Sequence, residues 1–525
     1  MESRLDKFIS WLSPATGMRR SAARLASREF NRMPMNKGNG FDAVNDARTT
    51  KSFTEGNQSA DVAIEGDAQK LRNRVRSLVR NNPYVARIVN STTDGAIGSG
   101  LIPQSSVVAD ASNEGGAAIS QDVADNFNGQ AEELYKQWTP TADACGRMTF
   151  EEIQRLCTRK IMEDGEIFVR KVAVDDAGRA IPLALQVYEA DQVETPDDLK
   201  NDSNVKHGVK VGGNGEPVEY YVLRSHPGDA STIRLTKVDD DFDTVPAGEM
   251  IHLYRVLRPG QTRGYSPIAP ALAVIQHMDR YWEAEIVAAR AAACYAGFIR
   301  TPSPGLSLAG LSASTGDPEN RKAFDLKPGL FKYLSPGEEI DFFDPKRPNQ
   351  AFSQFSEALI RAIGLAVSMP YELLALDFSK TNFSSARAAL LEARMHFDTV
   401  TKHVTNHLCI PVWSEMIRDA VAAAAIGQPA AYNAQPWRFQ RSRWTHPGYK
   451  WIDPLKEAMA AKVAIDSGIK TMRDVVATDG KDVEEHIKQL GQEEELLEAS
   501  GFKRNTTNNS LITLAMQEDD DAPVV

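Results

Sequence analysis

Apolar residues between positions 68 and 91 (Leu71, Val75, Leu78, Val79, Val85, Ile88 and Val89) recur at helical spacing, and Asn82-Pro83 divides them into two helices. Residues 105–120 are rich in Ser, Ala and Gly and read as a loop. Residues 121–164 predict two more helices. The first ends near Trp138-Thr139-Pro140; the second opens at Thr149, with Glu152 at capping-box spacing. From 165 to 256 the period becomes alternating, with turns at Asp175-Asp176-Ala177-Gly178 and Gly212-Gly213-Asn214-Gly215, which predicts a β-rich region including strands at 219–223 and 249–256. Ser266, able to cap, and Pro267, suited to a first helical position, then open an Ala-rich helix to about Cys294. At about 1.5 Å per residue it runs on the order of 40 Å, a rod made to pack beside other rods.

Beyond it, 296–301 reads as a strand, 302–320 as a Ser/Gly/Pro-rich loop with a short helical piece at 317–324, and 330–334 with 339–343 as a hairpin turning at Ser335-Pro336-Gly337. Residues 344–349 form a rigid polar loop holding Lys346 and Arg347 between two prolines. A helix to about Met369 carries Phe352, Phe355, Leu359, Ile363 and Ala366 on one stripe and stops at Pro370. Residues 384–426 predict a helix, a break at Pro411 and a second helix ended by Gly427; 429–449 look irregular. Asp453 and Pro454 open another helix closed by Gly468, and 471–479 and 482–499 are helical. The polar end, 502–525, closes on Glu518-Asp519-Asp520-Asp521 and predicts disorder. At the other end, Arg19, Arg20, Arg24, Arg28 and Arg32 are spaced for one helix face within residues 1–60. Either this is an arm touching DNA or neighbouring subunits, or it is a solvated, partly disordered leader.

A length of 525 residues suggests three or four domains, and 42% hydrophobic content is ample for real cores. The net charge of −11 argues against a protein that grips DNA by neutralising phosphates. It fits a wall along which a polyanion slides, and equally an ordinary solubility charge. The four cysteines lie far apart without CxxC spacing and read as reduced, buried, small apolar residues. No secretory signal or transmembrane run is evident, so no membrane partner is expected. There is no GxxxxGK[ST] phosphate loop and no GxSxG elbow, and the glycines of 95–100 follow a helix rather than a strand, against a dinucleotide site. His396, His403 and His407 share a helix face but lack the glutamate of a zinc-protease motif; they read as satisfied or solvent-facing. Glu283 and Glu285 point to different faces of the long helix, and 493–495 is a solvated acidic run. No catalytic, cofactor-binding or metal-binding set is expected.

The segment RPGQTRGYSPIAPAL (258–272), between the strand-like run 250–256 and the long helix, resembles the entry to the stem helix of tailed-phage portal proteins of the lambda-like family. RNNPYVARIVNSTTDGAIGSGL (80–101) is similar to that family's early helix ending in a Gly-x-Gly turn. GEIFVR (165–170) and YEADQVETP (188–196) resemble its wing strands, and NFSSARAALLE (382–392) its helix after the tunnel. WIDPLKEAMA with GIKT and GKDVEE (451–485) resembles its C-terminal helices. The blocks stand in order over roughly 70–490.

The resemblance implies an α+β portal fold: a basic arm (1–60), a β-rich wing (61–262), a long stem helix (263–295), a short clip and return segment (296–328), wing strands with tunnel loop and tunnel helix (329–383), a helical C-terminal crown (384–500) and an acidic tail (501–525). It implies a non-enzymatic, dodecameric class of ring at one capsid vertex. Such rings nucleate shell assembly with capsid and scaffolding proteins, seat a terminase that hydrolyses the ATP, pass double-stranded DNA, and receive the head–tail connector. Carried over by position, Lys346, Arg347 and Asn349 fall in the tunnel loop, and Asp279, Arg280, Glu283, Glu285 and Arg290 on the stem helix as channel or subunit contacts. One departure stands out: only 317–324 offers material for a returning stem helix. The alternatives are a soluble nucleotide-processing enzyme, which would need a convergent polar pocket, and another structural ring protein of a virion.

Overall fold

The computed structural model describes residues 58–110, 118–229, 241–294, 298–300, 339–341, 351–449, 454–481 and 483–500. The described elements belong to the unit Ser59–Val525. Helices α1 (Ala60–Ile64), α2 (Ala68–Asn81) and α3 (Pro83–Ile97) come first. Asn82 ends α2 and caps α3, its side chain accepting from the Tyr84 and Val85 amides while Pro83 takes the first helical position. Strand β1 (Ile102–Ser105) precedes α4 (Gln121–Trp138) and α5 (Phe150–Glu163), and α5 opens on the expected capping box between Thr149 and Glu152.

The β-rich region holds β2 (Glu166–Ala173), β3 (Leu183–Tyr188), β4 (Val205–Lys206), β5 (Val209–Val211), β6 (Pro217–Leu223), β7 (Phe242–Pro246) and β8 (Met250–Tyr254). These form a three-stranded sheet, β3-β2-β8, and a four-stranded sheet, β4-β5-β6-β7, with antiparallel neighbours throughout. Phe168, Tyr188, Val209, Tyr220 and Val245 pack between them. The main core lies elsewhere: α3, α4, α5 and the inner face of the β2 sheet surround Trp138, Phe150, Ile153 and Ile167, all under 2% exposed. The buried indole N–H of Trp138 donates to the Leu183 carbonyl at 2.8 Å, so its burial leaves no unmet donor.

After β8 come α6 (Leu272–Cys294), β9 (Phe298–Arg300), β10 (Glu339–Asp341), α7 (Phe352–Ala366), α8 (Tyr371–Ala375), α9 (Phe383–Val404) and α10 (Ile410–Ala422). The last elements are α11 (Pro436–Phe439), β11 (Ser442–Thr445), α12 (Pro454–Asp466), α13 (Met472–Thr478) and α14 (Val483–Ala499). Strand β10 pairs antiparallel with β9; the expected partner strand at 330–334, the loop 344–349, the arm and the acidic tail lie outside the described residues.

Several expectations need correction. The long helix starts at Leu272, not Ser266: the Ser266 hydroxyl does accept from the Ile268 amide, as a cap would, but the residues that follow make a 3-10 turn, Ala269–Ala271, before the α-helix begins. In α7 the far end of the expected stripe faces the core, with Ile363 buried and Leu359 and Ala366 packed against it, but Phe352 and Phe355 are 37% and 48% exposed and the near end is buried through Ser356 and Glu357 instead. The Trp282 indole of α6 donates to Ser356 at 3.0 Å and rotates that polar residue inward, leaving both phenylalanines against Tyr281. At Pro411 the chain does not break: it widens into a π-helical turn, Thr405–Cys409, that makes room for a residue with no N–H and a ring that excludes the carbonyl four residues back. The second helix ends at Ala422. The stretch 429–449 holds β11, which pairs with β1 from 340 residues earlier in register Ile102–Thr445. Among the cysteines, Cys157 and Cys409 are buried as expected, but Cys145 is exposed.

Candidate functional site

The segment singled out in the sequence is a sharp elbow joining the end of β8 to α6, and its shape is set by side chains acting in place of backbone. Gln261 accepts from the Leu257 and Arg258 amides at 2.9 and 3.2 Å and donates to the Arg263 carbonyl at 2.8 Å. The Tyr254 hydroxyl donates to the Gln261 carbonyl at 2.9 Å. The Ser266 hydroxyl donates to the Met162 carbonyl of α5 at 2.6 Å and accepts from the Ile268 amide. Gly165 and Gly264 let the elbow touch the start of β2. Gly165 sits at φ +90°, and a Cβ there would lie 2.1 Å from the Tyr265 carbonyl carbon; one on Gly264 would lie 2.3 Å from the Gly165 oxygen.

At the centre is a buried ion pair. Glu166, the first residue of β2, is fully buried, and Arg263 is 5% exposed. Arg263 donates through Nε and Nη2 to the Glu166 carboxylate at 2.7–2.9 Å and spends its remaining N–H groups on the carbonyls of Ala190, Val193 and His207. Every donor of the fork is therefore used. Its guanidinium carbon also lies 5.0 Å from the Phe168 ring centroid. Glu166 further accepts from His252 at 3.0 Å and from the Gly264 amide at 2.9 Å, with Arg72 at 3.4 Å. Burial alone would push the Glu166 carboxyl up, but the charge of Arg263 and the hydrogen bonds from His252 and Arg263 outweigh it and hold the group well below the ordinary carboxylate range.

The network continues outward. Arg72 and Arg76, one helical turn apart on α2, both reach Asp191, and Arg76 also makes a two-pronged pair with buried Asp164 at 2.6 and 2.7 Å. Lys160 reaches Glu189 at 2.9 Å. Burial opposes ionisation of Asp191, and Arg72 and Arg76 overcome it, lowering its pKa. Glu189, Asp191 and His226 have ligand atoms within 4.8 Å of one another, yet the flanking Arg76 and Lys160 already neutralise both carboxylates and would repel a metal cation. This node ties α2, α5, β2 and the elbow together through paired charges.

Of the sequence-selected residues, Lys346, Arg347 and Asn349 lie outside the described residues. Asp279 is half-buried and accepts from Asn82 at 2.9 Å, so it docks α6 on the α2–α3 corner. Arg280, Glu283 and Arg290 are exposed and Glu285 is half-buried. His396 and His403 are neither solvent-facing nor satisfied: each has a buried Nε2 without a partner. Burial, with His407 and Arg255 nearby, pushes His403 down to about 4, so it stays neutral. Sequence reading missed Arg72, Arg76, Asp164, Glu166 and Asp191. The available signal was an acidic pair, Asp164 and Glu166, embedded between the apolar runs Ile161-Met162 and Ile167-Phe168-Val169.

Comparison with known proteins gives one consistent result. The family described as phage portal protein, lambda family, matches residues 46–400. A probable portal protein of Halomonas phage phiHAP-1 is 25% identical over 501 residues, covering 92% of each chain. The portal protein of Escherichia phage N15 is 23% identical over 476 residues, covering 85% of this chain and 87% of its own. Portal protein B of Escherichia phage lambda is 22% identical over 483 residues, covering 86% and 88%. Among solved structures, the neck of a native gene transfer agent particle computed with C12 symmetry is similar at 15% identity and TM-score 0.37, over 69% of this chain and 92% of that one. With its family match running from α1 through both sheets of the β-rich region, the elbow and α6 into α9, the chain belongs to the lambda family of phage portal proteins and is a portal-vertex subunit of a virion.

Proposed function

We propose that the elbow fixes the angle between a β-rich wing and a stem helix in a closed ring, through which double-stranded DNA enters during packaging and leaves during ejection. The supporting observation is the junction itself: a fully bonded Arg263–Glu166 pair sits where the sheet hands the chain to a 23-residue helix. The near half of that helix is held by the core, with Ile275 and Met278 fully buried, while Ile286 and Val287 are 51% and 56% exposed. A rod anchored at one end with apolar side chains free at the other suits packing beside the same rod of the next subunit. Ring closure then joins two different faces of successive subunits. In this reading 61–262 is wing, 263–295 stem, 296–328 clip and return, 329–383 wing strands with tunnel loop and helix, and 384–500 crown. The stem charges Arg280, Glu283, Glu285 and Arg290 divide between the channel and subunit contacts. The partners are capsid and scaffolding proteins, a terminase that supplies ATP hydrolysis, and a head–tail connector.

Lys346, Arg347 and Asn349 act on moving DNA from the tunnel loop. Replacing both cations with Ala leaves rings intact in negative-stain images and lowers DNA packaging or retention in a salt-dependent way. Normal packaging with lost rings would place the loop in a subunit interface instead. Purified particles without a central channel, or steady ATP turnover by this chain, would overturn the portal reading as a whole.

A further inference from the structure

The elbow is clasped from two sides, and the outer clasp differs in kind from the inner one. Asp61, on the five-residue helix α1, is 6% exposed and accepts from the Thr262 amide at 2.7 Å and the Thr262 hydroxyl at 2.8 Å, across 201 residues of chain. Lys206 of β4 stands 3.4 Å from the same carboxylate. Little else holds α1. It is one turn long and capped by a single 3.3 Å bond from the Val62 amide to Ser59. It buries Ala60, whereas Val62 is 50% exposed. An isolated helix of this length has no stability of its own. Beneath it lies a cleft of about 730 Å³ lined by Asp61, Arg72, Lys206 and Arg263 among others, so α1 bridges a hollow instead of filling a core.

We infer that α1 is a releasable strap: it clamps Thr262 through Asp61 and opens as a local unit while the Arg263–Glu166 pair keeps the inner elbow in place. The physical basis is the asymmetry of the two clasps. Opening the inner pair strands a buried charge, whereas opening the strap returns one carboxylate and one short helix to water and exposes only Ala60 and the covered part of Ile64 as apolar surface. The strap gives the elbow two states, braced and unbraced, without melting either sheet.

Hydrogen exchange of the full-length protein, read by mass spectrometry over a series of sub-denaturing urea concentrations, tests this. In the wild type, the Thr262 amide, isolated by overlapping peptides, is expected to exchange with almost no urea dependence, the mark of a local opening, while the Gly264 amide on Glu166 and peptides in 167–170 and 251–254 exchange only with steep urea dependence. Asp61→Ala is expected to raise exchange at Thr262 by tenfold or more with Gly264 and the β2 and β8 peptides unchanged, and Asp61→Asn to fall between it and the wild type. Three results would overturn the strap: wild-type exchange at Thr262 as urea-dependent as β2, Asp61→Ala loosening β2 and β8 equally, or Asp61→Ala leaving Thr262 unchanged. The wild-type arm needs no variant and decides the question even if a variant fails to fold.

Discussion

The elbow and the C-terminal helices are built from the same kinds of residue and use them in opposite ways. Around the elbow, Glu166, Asp164, Arg263 and Arg72 are at most 9% exposed, and each charge is matched by geometry. In α12 and α14 no residue is buried; Val463 and Leu496 are 64% and 70% exposed. A desolvated charge tolerates no change of partner, whereas a hydrated one tolerates almost any. The family match, 46–400, takes in the whole elbow and ends before α10 to α14. The contrast separates an ion-pair node, in which every charge has a fixed partner, from helices whose apolar side chains are left unburied within the subunit.

The sharpest way to break the contrast is to strand a charge. Glu166→Ala or Arg263→Ala leaves an uncompensated buried ion and should cost about 3–5 kcal/mol in urea unfolding followed by tryptophan fluorescence. An effect under about 1 kcal/mol would mean that water enters the node. Next in size, Gly264→Ala or Gly165→Ala forces backbone apart where β2 meets the elbow. We expect a loss of about 1–3 kcal/mol by the same measurement, larger for Gly165 because its φ of +90° adds strain.

Acid sharpens the comparison further. Glu166, Glu189 and Asp191 all have lowered pKa values in the folded chain, from ordinary values of 4.5, 4.5 and 3.8. The folded state thus binds fewer protons than the unfolded state over this range. The stability they contribute is complete above about pH 5 and drains away as pH falls through the ordinary carboxylate range towards the lower folded values. Urea midpoints measured from pH 6 to pH 3 should fall in the wild type and fall less steeply in Glu166→Gln, which has already lost the group. The smallest effect belongs to the other region. Arg473 and Glu484 pair at 2.7 Å with side chains 49% and 77% exposed, and Glu484→Ala should leave the midpoint where it was.

What could be read from the sequence was whatever neighbouring residues decide. The Asn82-Pro83 corner, the Thr149–Glu152 box, the strand expected at 249–256 and found at 250–254, and the existence of α6 depend on caps, ring constraints and periodicity within a few residues, and all four are present. The ten residues from Arg258 were recognisable as a junction because a strand pattern meets a helix start there. What they hold was not recognisable, because Arg263 finds Glu166 across 97 residues and Thr262 finds Asp61 across 201. Pairing of that kind depends on which chains converge, and no local spacing encodes it. Tertiary contact also anchored the approach to α6, since the Ser266 hydroxyl that accepts from the Ile268 amide donates to the Met162 carbonyl of α5. It turned Ser356 inward in place of two phenylalanines and made a strand of Ser442–Thr445 by offering it the edge of β1. Local chemistry thus determined which elements form, and the need to pair every buried donor, acceptor and charge decided how they meet.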